Sequence, residues 1–385
     1  MATTIDTDPG SPAFISITPG LRYEMQSVLQ DKIRAALKLP GRDGLRISPG
    51  ERVALKINLA VPAPPEAAVG THPELLRAVI AVLKELRADV VVVEDCEEAA
   101  LLISGVAGVV AQTGVPFLNL RDRPFQAVTS TATVYQYAQD LLQSAHLISI
   151  PKLKTHLYTY YTGAIKNMFG CIPKAQRREL HREMATARFA EHLVNIYAIR
   201  PPDLVIMDGI LAMEGIGPTQ GDPKMAGLLL IGNDGVLLDY SAAALMGYDP
   251  GQIETIRIAM ERGLHRCPPE QAVFPDHRLA DVPRQGWNRL PVLSGGRRKK
   301  TLQALCGPIR AIPEYCQRCG TCSTSCPFQA IRLTPYPEVN QDQCQFCFCC
   351  LELCPHMAIM PAKFRRERTG DPRGKTDADL SRDQK

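Results

Sequence analysis

Nine of the chain's thirteen cysteines fall between Cys316 and Cys354. They sit in two strings, Cys316-Gln-Arg-Cys319-Gly-Thr-Cys322-Ser-Thr-Ser-Cys326-Pro327 and Cys344-Gln-Phe-Cys347-Phe-Cys349-Cys350-Leu-Glu-Leu-Cys354-Pro355. Each reads C-x2-C-x2-C-x3-C-P, and the second is the first displaced by 28 residues, with Gln317 and Gln345, Ala330 and Ala358, and Ile331 and Ile359 also matching. Such a stretch is a metal site or a disulfide knot. The acidic, polar start MATTIDTDPG has no basic region followed by an apolar run, so a reducing, cytoplasmic setting is expected and a knot is disfavoured. Structural zinc would instead pair C-x2-C units across a longer loop.

The module resembles a bacterial ferredoxin with two 4Fe-4S clusters, over about 50 residues and with every motif cysteine present. Position by position, the resemblance implies that cluster one uses Cys316, Cys319, Cys322 and Cys354, and that cluster two uses Cys344, Cys347, Cys350 and Cys326. Cys349 falls outside the spacing and reads as a small hydrophobe or a weak sulfur neighbour. Two clusters with four thiolates each add about four negative charges when oxidised, which offsets the formal charge of +4. No argument for a nucleic-acid partner remains.

Upstream, short runs rich in Val, Ile and Leu alternate with segments of helical length. Strands are expected at 14–18, 53–57, 90–93, 115–120, 147–150, 204–207 and 228–231. Helices are expected at 21–37, 73–87, 98–112, 135–145, 187–199, 236–246 and 253–262. This alternation predicts an α/β domain over 13–263, a mostly parallel sheet with helices on both faces. A Pro-rich basic arm or linker is expected at 264–311, a small α+β dicluster ferredoxin domain at 312–361, and a charged, disordered tail at 362–385. The charge-free stretch 99–120 is broken by Ser104, Gln112, Thr113, Gly114, Pro116 and Asn119, so it reads as a buried helix and strand, with no membrane span.

Polar residues follow several strands at once, including Lys56, Asn58, Glu94, Asp95, Lys152 to His156 and Asp208. In a parallel sheet these fall along the carboxyl edge, where open α/β folds bind ligands. The most unusual stretch is PKLKTHLYTYYTGAIKNMFGCIP, from Pro151 to Pro173. Here the chain resembles the family known as domain of unknown function 362, whose members carry a similar PKxKTH…TGAxKNxFGxxP segment. Lys56 with Asn58, the Thr71-His72-Pro73 helix start and the Asp208-Gly209 turn support the resemblance, which runs from about Phe14 to Tyr248. It implies a fold and frequent C-terminal ferredoxin modules, but no established reaction. TGAIKNMFG also resembles, more distantly, the TGG-x-K segment of nickel-pincer lactate racemases, without a matching set of paired histidines.

Read chemically, Lys166 and His156 are candidate catalytic residues, an electrostatic stabiliser and a proton donor. Lys152, Lys154, Thr162, Asn167, Asn58 and Asp208 are candidate substrate-binding residues for an anionic group. Cys171, between Gly170 and Ile172, reads as buried and inert. No G-x-G-x-x-G follows a strand, so the sequence names no flavin, dinucleotide or other second cofactor.

The leading expectation is an iron–sulfur oxidoreductase that passes electrons through two 4Fe-4S clusters to a small molecule or cofactor in the α/β domain, with an electron donor or acceptor protein as partner. An alternative is a non-catalytic electron carrier or assembly subunit. A third is an isomerase or group-transfer enzyme whose clusters are structural. An enzyme would need the lysine–histidine segment to line a closed pocket, whereas a docking subunit would present it on an open surface.

Overall fold

The computed structural model describes residues 13–39, 45–182, 186–293 and 298–364. The chain divides into two compact units, with the boundary between Val292 and Leu293. Residues 365–385, which include most of the expected tail, lie outside the described residues.

In the first unit the strands are β1 (Ile15–Thr18), β2 (Arg52–Lys56), β3 (Asp89–Glu94), β4 (Phe117–Asn119), β5 (Phe125–Ser130), β6 (Thr133–Ala138), β7 (His146–Ser149), β8 (Lys152–His156), β9 (Tyr160–Thr162), β10 (Leu204–Glu214) and β11 (Asp222–Gly232). Its helices are α1 (Gln26–Leu37), α2 (Pro73–Glu85), α3 (Glu98–Ile103), α4 (Val106–Thr113), α5 (Gln139–Gln143), α6 (Ala164–Asn167), α7 (Lys174–Leu180), α8 (Thr186–Ile199), α9 (Gly235–Leu245) and α10 (Glu254–Glu261). The main sheet runs β1-β11-β10-β7-β2-β3-β4, with β8 beside β10 and β9 beside β8. Its centre is parallel, from β10 through β7, β2 and β3 to β4, and β11 is antiparallel to both β10 and β1.

Both faces are covered because the middle of the central strands carries apolar side chains on both sides, as in β3, where DVVVVE buries alternate valines on opposite faces. Val53, Leu55, Val90, Val92, Ile148 and Ile206 pack with α1, α2 and α4. Helix α10 packs on both α8 and α9, and α9 also lies against β10 and β11. α2 starts where the sequence places it: the His72 Nδ1 accepts the Glu74 N–H, and Pro73 takes the first helical position.

Several expectations are corrected. The helix expected at 135–145 is strand β6 followed by α5, because Thr-Val-Tyr-Gln-Tyr alternates: Tyr135 and Tyr137 are buried while Val134 and Gln136 face out. The helix expected at 98–112 breaks at Gly105, whose φ of +77° suits glycine. Lys152 to His156 are not a polar loop but β8, buried along its whole length. No turn follows Asp208: β10 continues to Glu214, with an irregularity between Gly209 and Leu211.

The stretch expected as one arm belongs to both units. Val273 exchanges backbone hydrogen bonds with Ala13 and Ile15, and Asp276 accepts from Lys32 at 2.8 Å and from Ser16. These contacts tie it along the first unit although it lacks periodicity. In the second unit, α11 (Arg298–Cys306) is followed by β12 (Ile309–Ala311), α12 (Thr321–Ser325), β13 (Ile331–Leu333), β14 (Pro337–Val339), α13 (Cys349–Glu352) and β15 (Ile359–Pro361). β12 pairs with β15, and β13 with β14.

Candidate functional site

The 28-residue repeat is written into the second unit's backbone. β14 is β12 displaced by 28 residues, β15 is β13 displaced by 28, and each antiparallel pair joins one strand from either half. The left-handed positions repeat likewise, Arg318 with Phe346, Gly320 with Phe348, and Gln329 with Met357. Such residues at positive φ are uncommon outside glycine, and their recurrence at one spacing marks tight turns that both halves need.

Each half wraps a cavity. One is lined by Cys316, Cys319, Cys322 and Cys354. The other is lined by Cys326, Cys344, Cys347 and Cys350. Backbone N–H groups point at the sulfurs in matching fashion, Ala330 to Cys326 at 3.3 Å and Ala358 to Cys354 at 3.2 Å. All thirteen cysteines are free thiols. Burial pushes Cys347 up to about 12 and Cys322 up to about 11, and neighbouring sulfurs add to both shifts. Four sulfurs around one void repel one another as thiolates unless cations lie among them, which suits an iron–sulfur cluster at each cavity. Cys349 is buried and also lines the second cavity.

The first unit's candidates form two buried networks. In one, the Lys152 ammonium meets Asp208 at 2.7 Å, the Tyr23 hydroxyl at 3.3 Å and the Leu211 carbonyl at 3.1 Å. The Tyr23 hydroxyl donates to Asp208 at 2.7 Å, and the His72 N–H does so at 2.9 Å. The His72 ring stacks on Tyr23 with centroids 3.5 Å apart. Burial lowers Lys152 against the opposing pull of Asp208, and it also lowers half-buried His72. In the second network, the Lys154 ammonium donates to Asn58 at 2.9 Å and to the Val69 carbonyl at 2.7 Å. The Asn58 amide reaches Asn167 at 3.3 Å, and Asn167 donates to Ser149 at 2.9 Å. Beside it, Lys56 pairs with Glu94 at 2.9 Å, and burial still holds the Glu94 carboxyl above its usual range.

His156 lies on β8, where its Nδ1 accepts the N–H of Tyr158 at 3.0 Å and of Thr159 at 3.2 Å. A neutral imidazole used this way carries its proton on Nε2. Thr162 pairs with Lys154 across β8 and β9. Lys166 is part-exposed on α6, the short helix that follows Gly163. That helix is pinned by Asp239, which accepts from Ala164 N–H at 2.6 Å, Ile165 N–H at 2.9 Å and the Tyr161 hydroxyl at 2.9 Å. Gly163 is required because a Cβ there would strike both Tyr161 and Asp239. Cys171 is buried, and desolvation pushes its thiol up to about 11.

Sequence reasoning missed Tyr23, His72 as a ring in the Lys152 network, and Asp239. Tyr23 and Asp239 are remote in sequence from the residues they serve, and only the motif at Thr71-His72-Pro73 gave a signal. A groove of about 790 Å³ between α9 and the segment from Pro269 to Ala280, lined in part by Tyr240, Phe274 and Arg278, contains none of the candidate residues. Among the described residues no helix is long and apolar enough to cross a membrane.

Comparison with known proteins agrees with this division. A thylakoid-associated protein of Synechocystis sp., sll1697, is 28% identical over 285 residues, covering 72% of this chain and 88% of the relative. A solved structure of lactate racemase apoprotein from Thermoanaerobacterium thermosaccharolyticum aligns with a TM-score of 0.34 and 10% identity, over 54% of this chain; the chain spans about half, 52%, of that structure's length. Residues 308–355 match a 4Fe-4S dicluster domain, which makes this an iron–sulfur protein of the 4Fe-4S type. Residues 53–244 match the family described as Domain of unknown function (DUF362), so the first unit carries a domain of that family, with the 4Fe-4S domain on its C-terminal side in the chain.

Proposed function

We propose that the protein is an oxidoreductase that relays single electrons through two 4Fe-4S clusters between a redox partner protein and a small, anionic substrate or cofactor of the α/β domain. The observation that carries this reading is the pair of cavities, each walled by three cysteines of one half and the fourth of the other. Cys316, Cys319, Cys322 and Cys354 would hold one cluster, and Cys344, Cys347, Cys350 and Cys326 the second. When bound, such clusters supply one-electron chemistry at potentials set by charge, hydrogen bonds and exposure.

A specific observation favours the alternative, a non-catalytic carrier or assembly subunit. Lys152 and Lys154 spend their donors on internal partners and offer no ready anion site. Lys166, His72 and His156 are then the residues through which an enzyme would act. A cytoplasmic location belongs to this reading.

Anaerobic purification tests the proposal. Close to eight irons and eight acid-labile sulfides per chain are expected, with two one-electron reductions. Iron near four, or stoichiometric zinc, overturns it. A small molecule released on denaturation and seen by mass spectrometry would separate the enzyme from the carrier.

A further inference from the structure

The internal repeat makes every position around one cavity a control for its counterpart 28 residues away. The backbones match, but the side chains do not. Cys319 is exposed where Cys347 is buried, and Arg318 is exposed where Phe346 is fully buried. Gly320 faces the first cavity where Phe348 faces the second, and His356 lines the first where Phe328 lines the second. Arg318 lies over the Tyr336 ring at 6.0 Å, while Phe346 packs edge-on against Phe348 at the same centroid distance. Only the fourth ligands reverse the order, Cys354 being buried and Cys326 part-exposed, and their N–H partners are equivalent.

Reduction adds one negative charge to a cluster that is already anionic with its thiolates. Water and a guanidinium beside it stabilise that charge, whereas an apolar wall does not. Both contrasts act in the same direction.

Building on the two-cluster reading, we propose that the clusters are inequivalent. The one held by Cys316, Cys319, Cys322 and Cys354 is the port that exchanges electrons with an outside partner and has the higher reduction potential, with Arg318 as a residue that sets it. The one held by Cys344, Cys347, Cys350 and Cys326 is the internal site of lower potential. In each exchange the partner loses one electron and the port gains one, with no bond made or broken.

A redox titration of the anaerobic full-length protein, followed by electron paramagnetic resonance, tests this. Two waves are expected, separated by more than a tenfold difference in the one-electron equilibrium constant, about 59 mV. Cys350→Ala should remove the lower wave and leave the higher one. Arg318→Phe, at an exposed position, should move the higher wave down, and Arg318→Lys should restore most of the shift. An aqueous paramagnetic chelate should broaden the higher-potential signal more. Fewer than two clusters would sink the two-cluster reading itself. Two clusters with one common potential, loss of the higher wave in Cys350→Ala, or an unmoved wave in Arg318→Phe would overturn the inequivalence alone.

Discussion

Lys152 and Asp208 face each other across parallel strands β8 and β10, in direct register, and pair at 2.7 Å with neither side chain exposed to solvent. A pair so placed is structural before it is anything else. Removing one partner leaves an uncompensated buried charge, typically a loss of about 3–5 kcal/mol. Lys152→Met should therefore lower the urea midpoint of the first unit sharply, read by fluorescence of Trp287, the chain's single tryptophan. Adding Asp208→Asn should recover part of the loss, since it removes the unpaired charge while the amide oxygen still accepts the His72 N–H and the amide NH2 can donate to the Tyr23 hydroxyl. Normal stability in Lys152→Met would return this lysine to the role of a dispensable ligand-binding residue.

The contrast with the cysteine module shows what a sequence exposes. Eight cysteines at fixed local spacings announce iron–sulfur chemistry, because a cluster is wrapped by residues close together in the chain, and the repeat displays the fourth cysteine of each string. The α/β domain was equally legible where period alone decides, as in DVVVVE. Its polar edge was not. Lys152 and Lys154 look like surface charges until Tyr23, Val69 and Asp208 are brought round them by the fold, and β5–β6 is hidden because Tyr135 to Ala138 satisfies a helical pattern as readily as an alternating one.

Asp239 gives the first unit a characteristic response to pH. Burial raises its carboxyl from 3.8 to about 7 despite three hydrogen-bond donors. A raised carboxyl pKa means that the folded state holds a proton the unfolded state has released, so stability falls as pH rises from about 4 to about 7 and then levels. At about 1.4 kcal/mol per unit the whole effect is on the order of 4 kcal/mol. His72, held neutral by burial, works in the opposite sense as pH falls through its ordinary 6.5. The test is thus the difference between wild type and Asp239→Asn: urea midpoints at pH 5, 6, 7 and 8 should slope less in the variant. Parallel slopes would remove Asp239 as the cause.

Adjacent cysteines should behave differently. Cys349 and Cys350 both line the second cavity, but only Cys350 has the repeat partner Cys322, whereas Cys349 corresponds to Thr321. Cys349→Ala is expected to keep nearly all of the iron, and Cys350→Ala to lose about half. Equal losses in anaerobic iron and sulfide analysis would mean that the ligand register is misassigned.

The position of the unit boundary makes a last, sharper prediction about folding. A fragment of residues 1–292 keeps Val273 between Ala13 and Ile15, Asp276 on Lys32, and the Asn288 carbonyl on the Gly215 N–H. It should be soluble and colourless, with an intact Trp287 signal. A fragment ending at Gly263 loses all of these contacts and uncovers β1, an edge strand with its outer hydrogen-bonding groups then unpaired. It should aggregate or unfold at markedly lower urea. Extending the first fragment to Gly307 adds α11 without β15 or the rest of its unit, and leaves buried Leu302 and Cys306 without their surroundings. If the fragment ending at Gly263 proved as stable as 1–292, the segment beyond it would be a linker after all, and its backbone pairing with β1 would count for little.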